Sequence, residues 1–235
     1  MKKYLLVFTL VLPSIAFSAD LDGFYITPKV GISKTFDTGQ TNAINFQGVL
    51  YNYSDEDLGE GTVFGFSVGK SLNDNFRLEL EAIKRTDYEF DVLGETDFKA
   101  EIETYALFVN GFYDFQPFSL KSTSITPYLG GGMGISRNKM GTNVQYTDGS
   151  PDGSTNEGDT INRFTYKLSA GILFSLTENL SLDVNYQYVN LGAFKSGTTL
   201  YLNGVRRADL DLKRGINGGE IESQEIMFGL QYKFN

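Results

Sequence analysis

The sequence predicts an all-β protein: an eight-stranded antiparallel up-and-down transmembrane β-barrel with short periplasmic turns and long extracellular loops. Three observations carry that expectation. The chain closes on an amphipathic aromatic strand, opens on an export leader, and holds between them eight alternating segments joined by connections of unequal length. In the closing strand Phe228, Leu230, Tyr232 and Phe234 fall on one face and Met227, Gly229, Gln231 and Lys233 on the other, because strand side chains alternate with a period of two. Such an exposed apolar strand is an aggregation hazard in a soluble protein. In a membrane barrel it closes the cylinder and faces lipid.

The leader reads as a secretory signal peptide. Lys2 and Lys3 form a positive region, residues 5–12 an apolar run, and Ala16-Phe17-Ser18 a small-x-small cleavage site. The run falls short of the roughly 20 apolar residues of a membrane-spanning helix. Cleavage is expected after Ser18, with Ala19 as the second choice. Residues 1–18 are then the signal peptide and residues 19–235 the outer-membrane β-barrel.

Eight segments of about the length of a tilted transmembrane strand, roughly 9–11 residues, follow in order. They span residues 23–33, 61–71, 76–84, 103–114, 126–137, 163–176, 180–191 and 222–234. In the first, Phe24, Ile26, Val30 and Ile32 oppose Thr27, Lys29 and Gly31. In the second, Phe64, Phe66 and Val68 oppose Gly65, Ser67 and Gly69. The third sets Phe76, Leu78 and Leu80 against Arg77, Glu79 and Glu81, and the fourth Tyr105, Leu107, Val109 and Tyr113 against Thr104, Ala106, Asn110 and Asp114. The fifth is rich in glycine through Gly130, Gly131, Gly132 and Gly134. The sixth opposes Tyr166, Leu168, Ala170, Ile172 and Phe174 to Lys167, Ser169, Gly171 and Ser175, and the seventh Leu182, Val184, Tyr186 and Tyr188 to Asp183, Asn185 and Gln187. Residues 72–75 and 177–179 read as tight hairpin turns, and residues 115–125 as a link of middling length. Residues 34–60, 85–102, 138–162 and 192–221 read as long loops with little periodic structure of their own. An even strand number puts both termini on the periplasmic rim.

Alternation alone leaves open which face looks inward, since a soluble lipocalin-like barrel has the same period with the faces reversed. The polar set favours a membrane barrel. Lys29, Arg77, Glu79, Glu81, Lys167, Asp183, Glu225 and Lys233 are of mixed sign and lie in mid-strand among Gly65, Gly69, Ser169 and Gly171. An eight-stranded barrel has an interior just wide enough for side chains to fill, and such a set can pack and pair there. The other face is Leu, Val, Ile, Phe and Tyr, suited to lipid.

Composition agrees. The 14 Tyr and 19 Phe occur with no Trp, and Tyr suits the rims of a membrane band. The formal net charge is −9, or −11 without Lys2 and Lys3, which argues against nucleic acid as a partner. With no cysteine there is no disulfide and no thiolate chemistry.

Four phrases carry a family resemblance. Residues 186–192, Tyr-Gln-Tyr-Val-Asn-Leu-Gly, resemble the Tyr-Arg-Tyr-x-x-Leu-Gly stretch of the opacity-type small outer-membrane β-barrel family of porin-like surface antigens. Residues 127–134, Pro-Tyr-Leu-Gly-Gly-Gly-Met-Gly, resemble its Pro-Tyr-x-Gly-x-Gly-x-Gly strand. Asn110-Gly111-Phe112-Tyr113-Asp114 and Arg77-Leu78-Glu79-Leu80-Glu81 match its habits in the right order. Gly229-x-x-Tyr232-x-Phe234 resembles the signal read by the outer-membrane assembly machinery, although Asn235 follows the aromatic. The resemblance implies fold and location; the family hosts adhesins, small porins and surface antigens. Gln187 stands where the family often has Arg, which removes one lumen salt bridge.

No catalytic, cofactor-binding or metal residues are assigned, and no cofactor is expected. There is no histidine, so Ser–His, Asp–His and most zinc arrangements are unavailable. Glu79 and Glu81 share one face and paired carboxylates can do acid–base work, but with Arg77 and lysines nearby a structural network is favoured. Residues 148–153 and 156–159 superficially resemble calcium loops without the EF-hand order, and residues 54–57 form an acidic tip. Arg206, Arg207, Lys213 and Arg214 are the one basic cluster; lipopolysaccharide phosphates or an acidic host ligand would suit it, but pairing with Asp209 and Asp211 is the simpler reading. Gly130 to Gly134 make room for large opposing residues rather than cradle a phosphate.

The leading function is a non-enzymatic outer-membrane surface protein, of adhesin or surface-antigen type, presenting four long loops. Its expected partners are outer-membrane lipid and lipopolysaccharide, the assembly machinery through the C-terminal strand, and a host or cell-surface ligand through the loops. The alternatives are a narrow passive porin and a soluble periplasmic ligand-binding barrel.

Overall fold

The computed structural model of the chain describes residues 21–36, 41–53, 58–92, 97–120, 123–147 and 150–234. The expected leader, the acidic tip at 54–57 and residues 148–149 lie outside these. In chain order the strands are β1 (Phe24–Thr35), β2 (Thr41–Ile44), β3 (Leu50–Tyr53), β4 (Glu60–Ser71), β5 (Phe76–Val92), β6 (Asp97–Asp114), β7 (Phe118–Leu120), β8 (Thr123–Met140), β9 (Asn143–Thr147), β10 (Ser150–Ser175), β11 (Leu180–Leu202), β12 (Val205–Arg206) and β13 (Arg214–Lys233). A 3-10 turn covers Ala208–Leu210.

Eight of these strands form a closed antiparallel ring in the order β1, β4, β5, β6, β8, β10, β11 and β13, with β13 returning to β1. They cover the eight segments expected from the alternation, apart from single end residues at 23, 176 and 234. Closure leaves the ring itself without an edge. At one rim Phe234 N–H donates to Phe24 O (2.9 Å), Lys233 N–H to Asn179 O (2.8 Å), Ser71 N–H to Gly23 O (2.9 Å) and Asp114 N–H to Asn75 O (2.7 Å). Both ends of the ring and the short turns therefore share the periplasmic rim. Side chains fix those turns: Asn73 Oδ1 accepts from the amides of Asn75 and Phe76, both at 2.9 Å, and Thr177 Oγ1 from that of Leu180 at 3.1 Å.

The faces fall as the polar set indicated. Val30, Ile32, Phe64, Phe66, Leu78, Leu80, Leu107, Val109, Leu168 and Phe228 are exposed on the outer wall, while Lys29, Arg77, Glu79, Glu81, Lys167, Asp183 and Glu225 are buried within. A soluble ligand-binding barrel would have the opposite arrangement and is thereby overturned. Interior glycines make room for rings from neighbouring strands: a Cβ at Gly69 would meet Tyr25, one at Gly130 Phe112, and one at Gly171 Tyr128.

The long connections are corrected. Residues 85–102, 138–162 and 192–221 are mostly strand, so the wall continues far beyond the membrane. In β10 alone the part outside Asn162 adds about 40 Å of strand at ~3.3 Å per residue. Bulges hid this continuation. Between Arg85 and Tyr88 the register of β5 against β6 shifts, with Asp87 at φ 72°. Two residues instead of one then separate consecutive inward side chains, and the period-two pattern breaks. In β11 the register shifts between Asn190 and Ala193, with Gly192 at φ 70°.

Candidate functional site

Within the barrel the side chains lie in three levels. Nearest the periplasm, Arg77 clasps Asp114 bidentately, Nε to Oδ2 at 2.7 Å and Nη2 to Oδ1 at 2.9 Å, between the rings of Phe112 and Tyr128 at 4.9 and 5.0 Å. The Tyr128 hydroxyl donates to Asp183 Oδ1 at 2.6 Å. At mid-height Lys29 Nζ donates to Glu79 Oε1 (2.7 Å) and Glu81 Oε1 (2.9 Å). Asn110 Nδ2 donates to Glu81 Oε2 at 3.0 Å, and Lys167 pairs with the same carboxylate. Higher up, Arg85 Nε and Nη2 donate to Glu225 Oε1 (2.5 Å) and Oε2 (3.1 Å), and Ser33 and Ser223 hydroxyls to Glu225 Oε1, both at 3.1 Å.

Gln187 joins the upper two levels. Its Oε1 accepts from Lys167 Nζ at 3.2 Å and its Nε2 donates to Glu225 Oε2 at 2.5 Å. An arginine could not accept from Lys167, so the amide links two ion clusters where a cation would have repelled Lys167. The pair Glu79 and Glu81 is thus engaged by lysines and an amide, as a structural network. Arg77 is not their partner; it belongs to Asp114, a pairing that alternation could not assign across strands.

Above the ions the interior turns apolar, which the sequence reading missed. Leu58, Tyr88, Ile102, Phe108, Met140, Val189, Leu191, Phe194 and Ile221 are buried in one cluster. The bulges build it. The β5 bulge brings Tyr88 inward, its hydroxyl 2.5 Å from Ser33 Oγ, and the β11 bulge brings in Leu191 and Phe194. Carbonyls freed from the ladder there are satisfied by side chains: Asn138 Nδ2 donates to Leu191 O (2.8 Å) and Ala193 O (2.9 Å), Ser136 Oγ to Leu191 O (2.6 Å) and Thr165 Oγ1 to Asn190 O (2.6 Å). The signal available in the sequence was Asn190-Leu191-Gly192, a turn-forming pair flanking an apolar residue in mid-strand.

Outside the membrane, the basic cluster is mostly spent on its acidic neighbours. Arg206 pairs with Asp211 at 2.9 Å and Arg207 with Asp209 at 2.8 Å, while Arg214 Nη2 donates to Asn42 Oδ1 at 2.7 Å. Hydrogen bonds from Arg207 and Arg206 hold the carboxyls of Asp209 and Asp211, respectively, below the usual range. Of the calcium-like stretches, Asp159 pairs with Lys195 at 2.7 Å. Among the described residues no cluster of three or more His, Cys, Asp or Glu is placed to hold a metal.

A closed ring with a lipid-facing exterior and an ion-paired interior defines an outer-membrane β-barrel. The family model described as "Outer membrane protein beta-barrel domain" matches residues 4–234, and the chain belongs to that family. It is an outer-membrane β-barrel surface protein of a Gram-negative type. It is 26% identical to outer membrane protein PagN of Salmonella typhimurium, over 91% of this chain and 90% of that one. An uncharacterized protein of Brucella suis is 25% identical, over 73% of this chain and 69% of its own length. Among solved structures, Neisserial surface protein A aligns with a TM-score of 0.53 at 20% identity, covering 91% of this chain and 98% of that one. The outer membrane protein OprG of Pseudomonas aeruginosa aligns with a TM-score of 0.52 at 16% identity, covering 91% and 97%. These two show the fold.

Proposed function

We propose that the protein works as a non-enzymatic adhesin-type surface protein, through the outer ends of its hairpins. The observation that carries this reading is the filled interior. Ion pairs occupy its three levels and apolar side chains the end beyond them, so among the described residues neither a catalytic cleft nor an aqueous path is offered. What remains for recognition is the wall that stands above the membrane and the connections it displays, the usual place for binding. Residues 1–18 serve as the export signal, and the strand ending at Phe234 as the segment presented to the assembly machinery. A chain of 235 residues without histidine lacks the usual general base of hydrolytic surface enzymes.

Producing the protein in a non-adherent bacterium should confer attachment to epithelial monolayers or to neighbouring cells. Replacing the four outer connections by short turns should abolish that attachment while the barrel still shows its heat-dependent gel shift. Undiminished attachment by the shortened, assembled barrel would overturn the reading.

A further inference from the structure

The outer wall carries a feature that the recognition role does not use. Across β4, β5, β6, β8 and β10 the ladder aligns Phe64, Lys84, Tyr105, Arg137 and Asn162 in one outward row. The row on its periplasmic side is Phe66, Ala82, Leu107, Ile135 and Phe164, and the row beyond it includes Glu103 and Lys139. Ala82 is the one small side chain among large ones, and over it opens a groove of about 570 Å³, apolar along its length, with Lys84, Arg137 and Asn162 at its outer end. From Phe76 at the periplasmic rim to Lys84 is about 26 Å of strand, or roughly 20 Å of height at the ~40° tilt of such barrels. The cations therefore sit at the outer-leaflet interface of an apolar band ~25 Å tall.

Charge at that row is unbalanced. Glu103 is shared by Lys84 at 3.2 Å and Lys139 at 3.7 Å, and the two lysine side chains stay 38% and 58% exposed. Arg137, two residues before Lys139 on β8 and across Tyr105 from Lys84, is exposed and has no ion-pair partner among the described residues. Three cations thus face one carboxylate on a chain whose formal net charge is −9. Two other outward grooves among the described residues, over Gly111 and Gly131 and over Ala170, open onto no exposed cation.

We propose that this groove is a binding site for the phosphorylated glycolipid of the outer leaflet, the lipid A portion of lipopolysaccharide. One acyl chain lies over Ala82, and a glucosamine phosphate meets Arg137 with Lys84 and Lys139. The charge excess selects an anionic head, a guanidinium offers paired donors to phosphate, and the groove admits a chain beside that head. This inference rests on outer-membrane location and is independent of the adhesive role.

The test is native mass spectrometry of the full-length mature chain, folded in detergent, with three probes: bis-phosphorylated hexa-acyl lipid A, the same lipid dephosphorylated, and phosphatidylglycerol. The wild-type chain should retain one lipid A, at least tenfold more tightly than either other lipid. Arg137→Gln alone should weaken retention severalfold, and the triple change Lys84→Gln, Arg137→Gln, Lys139→Gln at least tenfold. Ala82→Phe should weaken it by filling the groove. All these positions are solvent- or lipid-facing, and the heat-dependent gel shift identifies assembled protein for comparison; Arg137→Gln suffices if Ala82→Phe fails to assemble. Equal retention of lipid A by the assembled triple variant would overturn the proposal. So would equally tight retention of phosphatidylglycerol or of the dephosphorylated lipid by the wild-type chain.

Discussion

At the scale of single residues, the interior is a set of buried charges that are tolerable only together. Arg85 and Glu225 have side chains with 0% exposure. Removing one member of such a pair strands the other without water, and the penalty exceeds the pair's own net worth. Glu225→Ala should therefore lower unfolding stability in detergent by about 3–5 kcal/mol, whereas the joint change Arg85→Met, Glu225→Leu should recover most of that loss. Equal effects of the single and double changes in urea titrations would contradict this account. Outside the membrane, the Leu200 amide donates to Asp211 Oδ1 at 3.0 Å. Because that carboxyl is held down, the tie is intact above the ordinary carboxylate value and lost as pH falls through the lowered one. The Leu200 amide resonance should accordingly titrate with a midpoint below about 3.9; a midpoint above it would disprove the tie. The buried ions themselves were legible from alternation: Lys29, Glu79, Glu81, Lys167, Asp183 and Glu225 all face inward as read. Their pairing was not, because partners such as Arg85 and Glu225 stand 140 positions apart and no local rule connects them.

At the scale of elements, the transmembrane half of each strand was readable and the outer half was not. The lower half keeps strict alternation, while the outer halves of β5 and β11 are re-phased by bulges at Asp87 and Gly192, after which a period-two reading puts every following residue on the wrong face. What looked like aperiodic loop was strand in shifted register. The bulge in β11 stands on side-chain donors, so Asn138→Ala should strip the Ala193 carbonyl of its side-chain partner and leave the Leu191 carbonyl to Ser136 alone, at a cost of about 1–3 kcal/mol. Thermal unfolding followed by gel mobility would check it, and an unchanged midpoint would show that the bulge supports itself. The interior glycines make a second element-scale prediction. Gly130→Leu should block assembly, because its side chain would enter the space of the Phe112 ring; normal yield of heat-shifting barrel would refute it.

At the scale of the whole molecule, location and architecture followed from the alternation and the closing strand, whereas the apolar cap over the ions was invisible. Leu58 arrives from a connection, and Tyr88, Leu191 and Phe194 arrive through bulges, so nothing in the linear pattern announced that the outer end is sealed. The seal is what separates this chain from a pore. In planar bilayers the wild-type protein should show no steady ohmic current, and Phe108→Ala with Phe194→Ala should still not conduct, since the ion network below stays closed. Sustained wild-type current would contradict a filled interior. The clasp of Arg85 by Glu225 also joins strands far apart along the chain. Arg85 emerges on β5, but its counter-charge lies on β13, the last strand of the ring in chain order. Until that strand docks, the nascent cylinder carries an unneutralised guanidinium that hydrocarbon rejects. A sheet still lacking β13 is thereby a poorer guest of hydrocarbon than the closed ring, so the same ion pair that fills the interior also favours closure over an open sheet.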